Sequence, residues 1–216
     1  MRLNYTTFMM NDVMPDALFL YSPFDTQKFL TEKGCFLSTY KIGDLLYADW
    51  LDAQSKLKNV NPKITLVNLQ KEQSIIAMKQ EPPVRIMNRA LGYAMTDAGD
   101  NDKYYGFEIQ NLGQLNDLAH DYAKYKLLRQ QPTRVVDGGL LKIHPLNIFT
   151  SVLYEYTPWT GSPDSMYYAQ WGIHGTYLFW QLWKNYWTEE LMGHSHLTYP
   201  HTVPPKTLDA WLEDKP

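Results

Sequence analysis

Apolar residues recur at helical spacing along most of this chain and alternate as a strand would in only one stretch. From Gly43 to about Asn59, the residues Ile42, Leu45, Leu46, Trp50, Ala53 and Leu57 share a face. Asp49, Asp52, Lys56 and Lys58 lie off that face, which predicts an amphipathic helix stopped by Asn61-Pro62. Residues 111–129 repeat the pattern, with Leu112, Leu115, Leu118, Ala119 and Tyr122 on the apolar side. Shorter helices are expected over 23–33, opened by Ser22-Pro23 and closed by Gly34, over 84–95 after Pro82-Pro83, and over 146–156. Residues 64–80 carry two signals. Ile64-Thr65-Leu66-Val67 and Ser74 to Met78 suit a hairpin, whereas Leu66, Leu69, Gln73 and Ile76 keep helical spacing, and the Glu, Gln, Lys, Ala and Met content favours helix.

The strand signal is Thr133 to Val136, then Asp137-Gly138, then Gly139 to Ile143. Asp-Gly supplies the positive φ angles of a type I′ turn, so a β-hairpin is predicted at about 133–143. Two strands alone are marginally stable and must lean on helices. The expected fold class is therefore mainly α, an irregular helical domain with one β-hairpin and extended N- and C-terminal arms. The arms are residues 1–22, with Met1, Met9, Met10, Met14 and breakers at Pro15 and Pro23, and residues 193–216, with Pro200, Pro204 and Pro205. A single mainly helical domain is expected over 23–192.

One segment stands apart. Between Asp164 and Lys184 lie 19 residues without a formal charge, crowded with Trp and Tyr. As one helix they would extend about 28 Å, close to the roughly 30 Å of a hydrocarbon core. Gln170, His174 and Gln181 interrupt the segment, and Trp and Tyr prefer the headgroup level to the bilayer centre. A buried or interfacial helix is the better expectation. Its stripe is Tyr168, Trp171, Gly175, Leu178, Phe179, Leu182 and Tyr186; with Trp183, its side chains make the expected protein or membrane interface, and 165–187 the expected lipid contact. Trp, Tyr and Met are enriched in interface cores.

Composition agrees. The chain has 216 residues, 14% of them aromatic, with 20 Lys+Arg against 23 Asp+Glu. That balance does not suit a protein that binds nucleic acid chiefly by neutralising phosphates, and Lys124, Lys126, Arg129 and Arg134 form only a modest basic patch. Mean hydropathy is −0.41, soluble in character. Cys35 is the only cysteine, so no intramolecular disulfide forms; between Gly34 and Phe36 it reads as a small buried hydrophobe. The first residues resemble neither a secretory signal nor a transit peptide.

Chemistry-bearing patterns are sparse. His194 and His196 share a face of an extended segment and, with His201, Glu189 or Glu190, would make a zinc site; solvated or core histidines are the simpler reading. Asp97 to Glu108 has the length of a calcium loop, but Asp102 stands where that loop needs Gly. Tyr122 and Lys126 match a Tyr-x-x-x-Lys spacing without the glycine-rich turn that accompanies it in dehydrogenases. No catalytic residue or cofactor is assigned, and the balance points away from an enzyme. The expected role is a non-catalytic structural subunit of a large multiprotein assembly whose partners are other protein subunits. A membrane-associated assembly, such as a mitochondrial energy-transducing complex of the inner membrane, is the expected setting. A small metal-dependent hydrolase using the C-terminal histidines, and a soluble ribosomal, phage or adaptor protein, are the alternatives.

Overall fold

The computed structural model describes residues 8–96, 99–163, 165 and 167–192. The protein is mainly α, as its periodicity predicts, with short antiparallel ladders between helices. It divides into two compact units: unit 2 is the continuous stretch Ala17–His120, and unit 1 is made from both ends of the chain, residues 1–16 and 121–216.

Unit 2 begins with α1 (Thr26–Glu32), whose N-cap is Asp25, accepting from the Lys28 amide at 2.8 Å. The Ser22-Pro23 signal lies one turn too early, and Gly34 follows the helix with φ +61° as expected. A tight ladder of β1 (Lys41–Ile42) and β2 (Leu45–Leu46) then turns through Gly43 at φ +59°. It delays α2 (Tyr47–Lys58) beyond the predicted start, and the buried face becomes Tyr47, Ala48, Trp50, Leu51 and Ser55. Ala53 and Leu57, expected inside, are exposed.

The ambiguous stretch is helix: α3 (Pro62–Gln73), with Pro62 in the first turn and Asn61 as N-cap. Asn61 also donates to the Leu18 carbonyl at 3.0 Å, and its amide reaches the Phe19 carbonyl at 2.8 Å, tying the chain before α1 to this helix. Pro62 through Leu69 are all buried, so the first two turns of α3 have no solvent face, and the helix shows no amphipathic signature. Then come α4 (Val84–Met87), only four residues where 84–95 was expected, and a ladder of β3 (Met95–Thr96) with β4 (Gly99–Asp100). The intervening turns hang on one side chain of α5 (Phe107–Lys126), a helix whose first fourteen residues belong to unit 2. Buried Gln110 accepts from the amides of Leu91 and Tyr93 and donates to the carbonyls of Tyr93 and Tyr104. Gln thereby substitutes for a secondary-structure ladder.

Unit 1 contains β5 (Arg134–Val136) paired with β6 (Leu141–Ile143), then α6 (Ile148–Tyr156), α7 (Tyr168–Trp171), α8 (Gly175–Tyr186) and α9 (Thr188–Met192). The hairpin falls where expected, but Val136 pairs with Leu141, so the loop has four residues, 137–140, in place of a two-residue turn. Residues 11–16, read as part of an N-terminal arm, lie along α6. Val13 and Met14 are fully buried, the Val13 amide donates to Thr150 Oγ1 at 2.9 Å, and Asp16 accepts from the Phe149 amide at 2.7 Å.

The aromatic segment is not one helix. Gly172 takes φ +64°, ψ −154°, outside helical space, and splits it into α7 and α8. No helix among the described residues is long and apolar enough to cross a membrane.

Candidate interaction site

The site is assembled by a carboxylate with no solvent contact. Asp137 opens the hairpin loop at φ +53° and is fully buried. It accepts from the Thr160 amide at 2.7 Å, from the Thr160 hydroxyl and from Ser165 Oγ at 3.3 Å, while its own amide donates to the Pro158 carbonyl at 3.0 Å. Four bonds thus join the hairpin loop to residues 158–165. Those residues in turn cap α8. The amides of Thr176 and Tyr177, orphaned at the helix start, donate to the carbonyls of Trp159 and Thr160 at 2.9 and 2.8 Å. No side chain performs that capping. Such backbone-to-backbone proximity requires glycine: a Cβ on Gly161 would lie 1.9 Å from the His174 oxygen, and one on Gly175 would lie 2.3 Å from the Trp159 oxygen.

The frame displays a cluster of rings. Tyr167 and Trp171 stack with centroids 4.9 Å apart and planes 9° from parallel. Trp159 meets both edge-on, at 5.1 and 5.0 Å, and His174 packs edge-on against Trp171 at 5.4 Å. These are the preferred stacked and T-shaped geometries, worth about 0.5–1.5 kcal/mol per pair beyond area burial. The Tyr167 hydroxyl lies only 2.9 Å from where a Cβ of Gly138 would be. His174 Nδ1 is held 2.7 Å from the Gly172 carbonyl. On the outer surface Trp171 remains 47% exposed, Tyr168 40% and Ile173 38%. Large apolar side chains held in order and left part-exposed in this way make the cluster a candidate contact surface.

The predicted interface stripe is thereby divided. Tyr168 and Trp171 stand outside. Phe179 and Trp183 are inside unit 1, edge-on to Phe149 at 6.1 and 6.4 Å, and Trp180, absent from the predicted stripe, is buried beside them. Leu178, Leu182 and Tyr186 are half-buried. Phe8 covers part of this ring set, meeting Tyr177 at 4.8 Å and Trp180 at 5.7 Å. The rings of α8 therefore find cover largely within the chain, and the exposed aromatic surface belongs to α7 and the turn after it. Trp159, Tyr167, His174 and Asp137 were not among the predicted site residues. Their one sequence signal was the rigid loop 158–163 beside the Asp-Gly pair, which reads locally as a turn.

Other candidates resolve differently. His194, His196 and His201 lie outside the described residues, and among the described ones no group of His, Cys, Asp and Glu is placed to hold a metal ion. Glu189 is exposed and Glu190 half-buried at α9. Cys35 is buried, donates Sγ to the Ile75 carbonyl at 3.4 Å, and burial pushes its thiol pKa up. Two members of the basic patch are engaged internally: Lys124 and Arg134 lie over the Tyr125 ring at 4.9 and 4.6 Å, and both pair with Glu155. No family model, curated protein or solved structure matches this chain.

Proposed function

We propose that this protein is a non-catalytic structural subunit of a multiprotein assembly, and that it docks another subunit through the ring platform of α7. The observation that carries the reading is Trp171: half-exposed, yet stacked on Tyr167 and met edge-on by Trp159 and His174 in a frame locked by Asp137. A rigid aromatic side chain surrendered to a partner loses little conformational entropy, which is why Trp and Tyr dominate binding hot spots. The setting we propose, carried from the sequence, is a membrane-associated complex such as one of the mitochondrial inner membrane.

The test is co-purification from native membrane and soluble fractions with the full chain and with Trp171→Ser combined with Tyr168→Ser. The reading expects a discrete, stoichiometric assembly that the double variant loses while retaining the far-ultraviolet circular dichroism of the parent. A parent chain that purifies alone and monomeric, or a variant with an unchanged set of partners, sinks it. Equal loss of binding to protein-free lipid vesicles would reassign the platform to a membrane surface.

A further inference from the structure

We propose that a cleft in unit 2, between the start of α1 and the first half of α2, receives an arginine side chain presented by a partner protein. The cleft has a volume of 360 Å³, within the roughly 300–1,000 Å³ typical of ligand sites. Its lining combines three carboxylates, Asp25, Asp49 and Asp52, with the rings of Tyr21 and Phe24. Flat π-faces beside carboxylates favour an organic cation carried on a stem. The carboxylates do not form a metal cage: among the described residues no three His, Cys, Asp or Glu side chains are placed to hold an ion.

A second, independent observation is the unused acceptor at the cleft wall. Thr26 is 3% exposed and lines the cleft, and its Oγ1 has no hydrogen-bond partner. Beside it, Gln27 donates Nε2 to the Ser38 carbonyl at 2.9 Å, which fixes its amide and leaves a buried Oε1 without a partner. Buried polar atoms left unpaired carry a desolvation cost that an arriving donor relieves. Asp25 Oδ1 is committed to the Lys28 amide and Asp52 Oδ1 to the Tyr21 hydroxyl at 3.0 Å. Each of those carboxylates retains its other oxygen, and Asp49 is exposed.

The acceptors outnumber what an ammonium can use in one geometry. A guanidinium offers five donors in a planar fork and stacks on aromatic rings, whereas an ammonium is a strongly hydrated point charge with three. A neighbouring cation, Lys63, holds its Nζ 4.5 Å from the Phe24 ring centroid. It shows that this ring accepts a positive charge, and the lining itself, with three carboxylates and no Lys or Arg, is acidic. The cleft uses residues of unit 2 alone and does not depend on the α7 platform.

The experiment titrates the full-length chain, followed by amide and aromatic NMR shifts, with acetyl-Gly-Arg-Gly-amide and with its lysine and citrulline counterparts. Expected are saturable shifts at Tyr21, Phe24 and Thr26, with arginine binding at least about tenfold more tightly than citrulline and more tightly than lysine. Asp49→Asn with Asp52→Asn weakens arginine binding by about tenfold or more. Asp49→Asn alone serves if the pair disturbs folding, since that carboxylate is exposed. Thr26→Val weakens it further, and the Trp171→Ser, Tyr168→Ser chain binds the peptide as the parent does. Absence of saturation, equal binding of citrulline, tighter binding of lysine, indifference to the Asp variants, or the same shifts from calcium chloride alone overturns the assignment.

Discussion

Two buried tyrosines show how much one hydroxyl partner decides. Tyr47 is fully buried and donates to Asn111 Oδ1 at 2.8 Å, while Asn111 Nδ2 reaches back to the Phe107 carbonyl at 2.7 Å. Tyr154 is equally buried, with no partner for its hydroxyl. Tyr47→Phe should therefore destabilise by about 1–3 kcal/mol, because it strands the Asn111 oxygen. Tyr154→Phe should be neutral or stabilising by up to about 1 kcal/mol, because it removes an unpaired polar atom; denaturant unfolding checks both. Burial raises the pKa of each phenol above its ordinary 10.0. Above that pH the unfolded chain releases protons that the folded chain keeps, so stability is complete below pH 10 and falls as pH rises. The slope is up to about 1.4 kcal/mol per pH unit for each tyrosine, and Tyr154→Phe should flatten it. Neither role was legible beforehand, since a Tyr at helical spacing reads alike whether its hydroxyl is paired or stranded.

At the scale of elements, legibility followed the range of the forces involved. Caps and breakers act over a few residues, and Gly34, Asn61-Pro62 and Asp137-Gly138 mark real boundaries. The interior of α3 gave a mixed signal because a helix buried on every side lacks the polar face that periodicity detects. The aromatic run misled for a related reason: its composition suits one long helix, but Gly172 and Gly175 both take positive φ. What holds the break is tertiary. The helix start at Gly175 is fastened to the carbonyls of Trp159 and Thr160, seventeen residues away in each pairing with Thr176 and Tyr177, closer than a side chain would permit. Gly161→Ala should therefore cost about 3 kcal/mol or more, from the close contact together with the strain of φ +66°. Its second signature is a rise in Trp fluorescence accessibility to iodide, as the ring platform loses its frame. A stability change below about 1 kcal/mol would mean that the backbone contact relaxes freely.

For the whole molecule, the consequential feature is that unit 1 draws on both ends of the chain whereas unit 2 is continuous. Residues 11–16 complete unit 1 in three ways. Val13 and Met14 fill its interior; Asn11 accepts from the Leu146 and His144 amides at 2.7 and 3.0 Å; Asp12 and Asp16 accept from Asn147 and the Phe149 amide at the start of α6. Asp16 does so at a cost, because burial raises its carboxyl pKa above the ordinary value. From sequence alone this segment looks like an arm, because it has breakers and no periodicity; such a segment reveals its role only through the surface that receives it. Deleting residues 1–16 removes two fully buried side chains worth about 1.5–3 kcal/mol each, so exchange of the α6 amides from Phe149 to Leu153 should accelerate by roughly 10²–10⁴-fold. The amides of Ile64 to Leu69 in α3 should keep their protection, since every residue of unit 2 remains. Hydrogen exchange resolves the two sets in one measurement, and adding a synthetic peptide of residues 8–16 should restore the first. Equal acceleration in both sets would show that the units unfold as one, and unchanged α6 protection would show that the N-terminal segment is bound without supporting the fold.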